Sequence, residues 1–168
     1  MTGQRKKVDL YTDGACLGNP GPGGFGVVLI YGGKRRELAG GFRLTTNNRM
    51  EIMACIVGLK ALKEPCAVTL YSDSQYVTNT LSKGWARRWR QNGWMRTKTE
   101  KALNPDLWEE LLNRCDRHDV RVVWVRGHSG HPENERCDAL AVAAAKGENL
   151  PTDEGYEGDG AQRFTLPS

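Results

Sequence analysis

The sequence predicts an α/β fold on a five-stranded mixed sheet, three antiparallel strands followed by two parallel ones, flanked by helices. Three observations predict it. The first 45 residues hold three strand-like runs joined by short links, which read as an antiparallel meander. Two later strand-like runs are each preceded by a segment of helical period, so they return by crossover connections. The 168-residue length, with 39% apolar and 26% charged residues, suits one folded domain and excludes disordered and collagen-like chains.

Residues 8–13 alternate Val8, Leu10 and Thr12 against Asp9, Tyr11 and Asp13, the two-residue period of a strand. Gly18-Asn19-Pro20-Gly21-Pro22-Gly23-Gly24 is a dense turn signal, Phe25 to Tyr31 is the second strand, and Gly32-Gly33 turns the chain into the third, Glu37 to Leu44. The period then changes. Met50, Met53 and Val57, with Ile52, Ile56 and Leu59, fill two adjoining helical stripes over 47–62, and Thr45, Thr46 or Asn47 can cap this helix. Val68 to Asp73 is the fourth strand, and Ser74 opens a short helix to about Leu81. Asn104-Pro105 reads as an N-cap and first helical residue, with Leu107, Leu111 and Cys115 on one face of a helix reaching about His118. His118 then supplies positive charge at that helix's C-terminus.

Val120 to Val125 is near-continuously apolar, as a central strand buried on both faces would be. His131 and Pro132 open the last helix, which carries Cys137, Leu140, Ala141 and Ala144. From Gly147 onward Gly, Pro, Asp, Glu and Thr dominate without a period, so residues 1–147 form the body and 148–168 a flexible acidic tail.

The charge distribution points to a polyanionic partner. Net charge is +4, but the stretch from Glu148 to Ser168 holds five acids against one base, leaving the body at +8. Nucleic acid is the commonest partner of so basic a body. Five widely spaced cysteines with no C-x-x-C pair argue against a disulfide framework or a structural zinc site. No run nears the ~20 apolar residues of a membrane span, and the N-terminal residues lack a signal-peptide apolar region. Both features suit a cytoplasmic protein with no membrane partner.

Carboxylates stand where they are costly. Two strands end alike, in Tyr11-Thr12-Asp13-Gly14 and Tyr71-Ser72-Asp73-Ser74, and ligand crevices of open α/β sheets lie beyond such carboxyl ends. Either aspartate by itself reads equally well as the cap of a turn or helix. Glu51 sits near the start of the apolar helix, where a carboxylate must be paired, exposed at the tip or bound to a cation. Asp138 flanks the apolar stripe of the last helix. Four gathered carboxylates repel one another unless a divalent cation neutralises them, and oxygen ligands favour Mg²⁺ or Mn²⁺ over zinc. Two such ions form a clamp for in-line phosphodiester displacement. His128, in the Gly-rich run Gly127-His128-Ser129-Gly130, is placed to move a proton there.

Residues 83–101 interleave seven bases with three tryptophans. Trp85 and Trp89 share one helical face while Arg87, Arg88 and Arg90 splay elsewhere. Charge for phosphates and rings for sugars or bases suit a nucleic-acid strand, and the tryptophans can equally pack on the body.

Four blocks together resemble bacterial ribonuclease HI, the type 1 RNase H family: the run from Tyr11 through Asp13 and Asn19 to Gly24, Thr45 through Asn47 and Asn48 to Glu51, Ser72 through Asp73 and Gln75 to Val77, and Gly127 through His128 and Glu135 to Asp138. The similarity spans about residues 7–146 with the blocks in family order. The resemblance implies the RNase H-like fold, residues 1–147 as the catalytic domain, and endonucleolytic hydrolysis of the RNA strand of RNA–DNA hybrids, leaving 5′-phosphate and 3′-hydroxyl ends. It implies that Asp13, Glu51, Asp73 and Asp138 bind two Mg²⁺ ions, with Asp13 between them, that His128 assists proton transfer and product release, and that Glu135 supports it. Gly14, Asn19, Asn47, Asn48 and Gln75 would follow the hybrid's minor groove, where RNA 2′-hydroxyls lie. Trp85, Arg87, Arg88, Trp89 and Arg90 would form a protrusion gripping the DNA strand. Two readings compete: an integrase- or resolvase-type DNA nuclease, and a non-catalytic hybrid-binding module. A monomer is expected, since the sequence shows no large exposed apolar stripe.

Overall fold

The computed structural model describes residues 4–127 and 129–158. Five strands, β1 (Lys6–Cys16), β2 (Gly21–Tyr31), β3 (Lys34–Thr45), β4 (Cys66–Ser72) and β5 (Asp119–Trp124), form one sheet in the order β3-β2-β1-β4-β5. The first three pair antiparallel, and β4 and β5 join in parallel, as the connections predict. Register matters here. Thr12 lies opposite Ser72, so Asp13 and Asp73 come side by side where the β1–β4 pairing ends.

Helix α1 (Asn47–Lys60) begins at Thr46, whose side chain accepts the Arg49 N–H. Its residues Met50, Ile52, Ala54, Cys55, Ile56 and Leu59 are buried, as two adjoining apolar stripes require. α2 (Gln75–Ser82), α3 (Trp85–Gln91) and α4 (Pro105–Cys115) follow, with Trp108 and Leu111 of α4 packed in the same core as α1. α5 (Pro132–Ala145) covers the opposite sheet face. The alternation along β2 shows the two layers: a Cβ at Gly23 would strike Met50 of α1, and one at Gly24 would lie 2.2 Å from the Ala141 carbonyl of α5. Glycines that read as a turn are therefore largely strand, kept bare so that a helix backbone can touch the sheet.

Two expectations are corrected, and two caps stand where expected but without a side-chain bond. Val120 to Val125 is not a central strand, because β5 is the sheet edge and Trp124 is 47% exposed. Asn104 stands at the N-cap of α4 with Pro105 after it, as expected, but in a left-handed conformation with no side-chain cap bond; its amide donates to the Tyr76 hydroxyl instead. His131 likewise stands at the cap position of α5 without a side-chain cap bond. His118 does not supply charge to the dipole. Its Nδ1 accepts the Cys66 N–H at 3.0 Å, which requires a neutral ring, and burial together with Arg5, Arg117 and Arg114 pulls its pKa down.

The expected tail is the largest correction. Residues 148–158 pack on the body, and Asp153 is 3% exposed, accepting from Arg49 Nε at 2.8 Å and from the Thr45 hydroxyl at 2.7 Å. Arg49, itself buried, also reaches Asp106 at 2.7 Å. Pro151 accepts the Arg43 N–H, and one further helical turn, α6 (Glu154–Glu157), pairs Glu157 with Arg43. The buried guanidinium is the physical reason, since it needs carboxylate partners that the body supplies only in part. The rest of the expected tail, 159–168, lies outside the described residues.

Thr80 Oγ1 in α2 is buried with no hydrogen-bond partner among the described residues. Thr80→Val keeps the branched shape and removes a desolvated hydroxyl, so the variant is expected to gain about 1 kcal/mol. The check is a urea titration with a raised midpoint and unchanged slope; a lowered midpoint would mean that the hydroxyl contributes a bond in solution.

Candidate active site

Both sheet faces and the sheet itself contribute to one acidic cluster. β1 delivers Asp13, the end of β4 delivers Asp73, α1 delivers Glu51 from one face and α5 brings Asp138 from the other. Carboxylate oxygens of Asp13, Glu51 and Asp73 all lie within 4.8 Å of one another. Asp13 feels the negative charge of Glu51, Asp73 and Asp138 together, while Asp138 is not in the group whose oxygens meet within 4.8 Å. α1 passes so close to β1 that a Cβ at Gly14 would fall 2.5 Å from the Glu51 nitrogen. Gly14 thus seats the glutamate.

Such crowding has an electrostatic consequence. Burial first, then the charges of Glu51 and Asp73, pushes the Asp13 carboxyl far above the usual carboxylate range. Burial and the Asp73 charge push Glu51 up as well. Without a cation the cluster holds protons at neutral pH. Glu51 Oε1 is nevertheless buried with no hydrogen-bond partner among the described residues, an acceptor left open in an oxygen-only donor set. That set fits a hard divalent cation, for which Mg²⁺ and Mn²⁺ have the matching ligand preference.

Polar residues cluster beside it. Asn19 Oδ1 accepts the Asn47 N–H at 3.1 Å, tying the β1–β2 loop to the start of α1, and Asn48 is exposed one turn before Glu51. Gln75, exposed at the first position of α2, follows Asp73 by two residues. Farther along, Trp85, Trp89 and Arg88 line a groove of about 610 Å³ with Tyr76, Arg96 and Lys101. Trp85 and Trp89 share that groove as expected, joined by Arg88 but not by Arg87 or Arg90. Arg87 pairs with Asp116 at 2.8 Å and Arg90 with Glu109 at 3.2 Å, which leaves Arg88 without a partner among the described residues. Glu135 is exposed in the first turn of α5. His128 lies outside the described residues.

Two contacts at the site were not anticipated from sequence. Arg49, two residues before Glu51, anchors the start of α1 to Asp106 and Asp153; its signal was a lone cation entering an apolar helix. Trp124 donates its indole N–H to the Asp73 carbonyl at 3.1 Å, a contact that depends on which strand neighbours β4.

Carboxylates gathered where parallel strands end form an oxygen-only donor set of the kind that metal-dependent nucleases use. The RNase H family profile matches residues 5–146. Similar sequences include a ribonuclease H of Desulforamulus reducens, 68% identical over 88% of this chain and 93% of its own, and one of Rippkaea orientalis, 60% identical over 96% and 99%. Among solved structures, a type 1 RNase H with the type 2 active-site motif superposes with a TM-score of 0.78 at 30% identity, covering 99% of this chain and 88% of that one. The chain belongs to the RNase H family. Among the described residues, no helix is long and apolar enough to cross a membrane.

Proposed function

We infer that this protein, an endoribonuclease acting on the RNA strand of RNA–DNA hybrids, makes its cut at the cluster of Asp13, Glu51, Asp73 and Asp138 with two bound Mg²⁺ ions. The observation that carries this reading is the buried cluster with its open Glu51 acceptor, in a chain of the RNase H family. When bound, divalent cations in such a clamp activate water at neutral pH and stabilise the leaving oxygen. The protein's own residues do the rest. Asp13, beside Glu51 and Asp73, would be held in common by both halves of the site. His128 moves a proton between water and the leaving group with support from Glu135, and products leave with 5′-phosphate and 3′-hydroxyl ends.

Asn19, Asn47, Asn48, Gln75 and the Gly14 backbone read the minor groove of the hybrid, where 2′-hydroxyls distinguish the RNA strand. The groove of Trp85, Arg88 and Trp89, flanked by Arg87 and Arg90, takes the DNA strand. The protein works as a cytoplasmic monomer on this reading. The test is an incubation of end-labelled RNA–DNA hybrid, single-stranded RNA, RNA duplex and DNA duplex, each with Mg²⁺ and with chelator. Metal-dependent cleavage of only the hybrid's RNA strand is the expected result. Binding without cleavage would mark a non-catalytic module, and cleavage of DNA duplex would mark a DNA nuclease.

The three arginines are not equivalent. Arg87 and Arg90 spend their charge on Asp116 and Glu109, whereas Arg88 offers its own to a ligand. Arg88→Ala is expected to lower the slope of log affinity against log salt by about 1, and Arg87→Ala by less. Equal slopes for the Arg88 variant and the parent would remove this groove from the phosphate path.

A further inference from the structure

Asp73 is held differently from the other three carboxylates. Asp13 lies within β1, Glu51 within α1 and Asp138 within α5, so each backbone is fixed by its own element. Asp73 follows the last residue of β4 and precedes the Ser74 cap of α2, in a connection with no ladder of its own. The Ser74 N–H donates to Ser72 Oγ across it at 3.0 Å, and the contacts from outside this connection come from the end of β5. The Val125 N–H donates to the Ser72 carbonyl at 2.9 Å, and the Trp124 indole N–H donates to the Asp73 carbonyl at 3.1 Å. Gly127 then passes so near the carboxylate that a Cβ there would lie 2.8 Å from Asp73 Oδ2.

Trp124 is 47% exposed, so burial accounts for only part of what this large side chain contributes at the sheet edge. Its N–H bond to Asp73 is the specific part. Gly127 does not have the positive φ that favours glycine, so room for the Asp73 carboxylate, rather than backbone conformation, is the constraint on it.

We propose that Trp124 and Gly127 are positioning residues that seat Asp73, Trp124 by fixing its backbone and Gly127 by leaving space for its carboxylate. They act on cation binding through Asp73 and touch no substrate. The proposal rests on the reading of Asp73 as a cation ligand. Outer partners of metal ligands commonly set affinity in this way, because a ligand that wanders must be reordered each time a cation binds.

The test pairs Trp124→Phe, which keeps a ring and removes the N–H, with Gly127→Ala, which adds one methyl beside the carboxylate. Mg²⁺ binding to the free protein is measured by titration calorimetry, and hybrid cleavage is measured across Mg²⁺ concentrations. Both variants are expected to bind Mg²⁺ about tenfold more weakly and to need about tenfold more for half-maximal rate, with KM for hybrid at saturating Mg²⁺ unchanged. Parental Mg²⁺ affinity in both variants overturns the proposal. A raised KM with an unaltered Mg²⁺ requirement in Trp124→Phe also overturns it, by making the ring a substrate contact. Should Trp124→Phe fail to fold, Gly127→Ala still decides, since parental Mg²⁺ affinity in it removes the seat. Failure of the underlying reading is separate: Asp73→Asn would then bind Mg²⁺ as the parent does.

Discussion

Asp13→Asn is expected to abolish hybrid cleavage and, in the same molecule, to raise stability when no divalent cation is present. Asp13 meets Glu51 and Asp73 within 4.8 Å and feels the charge of Asp138 as well, so its replacement removes a ligand charge from the middle of the cluster. A rate loss of at least about 1,000-fold follows if the cations supply several kcal/mol of charge stabilisation. The stability gain has the opposite origin. Burial and the neighbouring carboxylates raise the Asp13 pKa in the folded state above its unfolded value, so the native protein keeps a proton that the unfolded chain releases.

The stability carried by this group is therefore complete in acid, below the unfolded carboxylate pKa, and declines as pH rises toward the raised folded value. Asparagine carries no such pH dependence. In chelator, the variant should match the parent near pH 4 and exceed it by about 1–2 kcal/mol at neutral pH, the range usual for relieving strain at a site. Added Mg²⁺ should raise the melting temperature of the parent and leave the variant largely unmoved. Retained turnover would remove Asp13 from the metal site, and equal stability at both pH values would remove the electrostatic strain.

Arg49→Met is expected to cost about 3–5 kcal/mol of folding stability, because it leaves Asp153 buried without its cation. That is a large share of the about 5–15 kcal/mol that holds a typical domain together. Truncation after Gly147 should also destabilise, since it leaves Arg49 with Asp106 but without Asp153. A free tail predicts no change on truncation, so the two pictures separate in one urea titration. Parental stability of the truncated protein would show that the Asp153 contact contributes nothing to the fold.

The contrast between these two predictions shows where sequence reasoning reached. Asp13 and Asp73 stand out because each ends a two-residue alternation, and Glu51 because no charge follows it until Lys60 in an apolar helix. Those signals are local and survive in one dimension. Asp153 carries no such signal: it lies among Gly, Pro and Glu residues without a period, and only its partner over a hundred positions earlier gives it a buried role.

The same limit explains the misplaced strand. Val120 to Val125 is apolar enough for the middle of a sheet, and composition does not distinguish a central strand from an edge whose inner face is covered. Strand order decides it, and order depends on where the crossovers land. His118 follows a similar logic. Its position near a helix end suggests charge, while the Cys66 N–H and three nearby arginines, brought together by folding, hold it neutral.

By itself, then, the sequence determined the element types, the mixed sheet and the candidate carboxylates, because periodicity and the cost of stranding charge in apolar surroundings act between near neighbours in the chain. Only the tertiary structure decided that Asp13, Glu51 and Asp73 meet, that Arg88 rather than Arg87 or Arg90 lacks an ion-pair partner among the described residues, that Trp124 reaches Asp73, and that residues 148–158 clasp the body. Each of these depends on a pairing between residues distant in sequence, and such pairings arise only when the chain packs and buried polar groups must find partners.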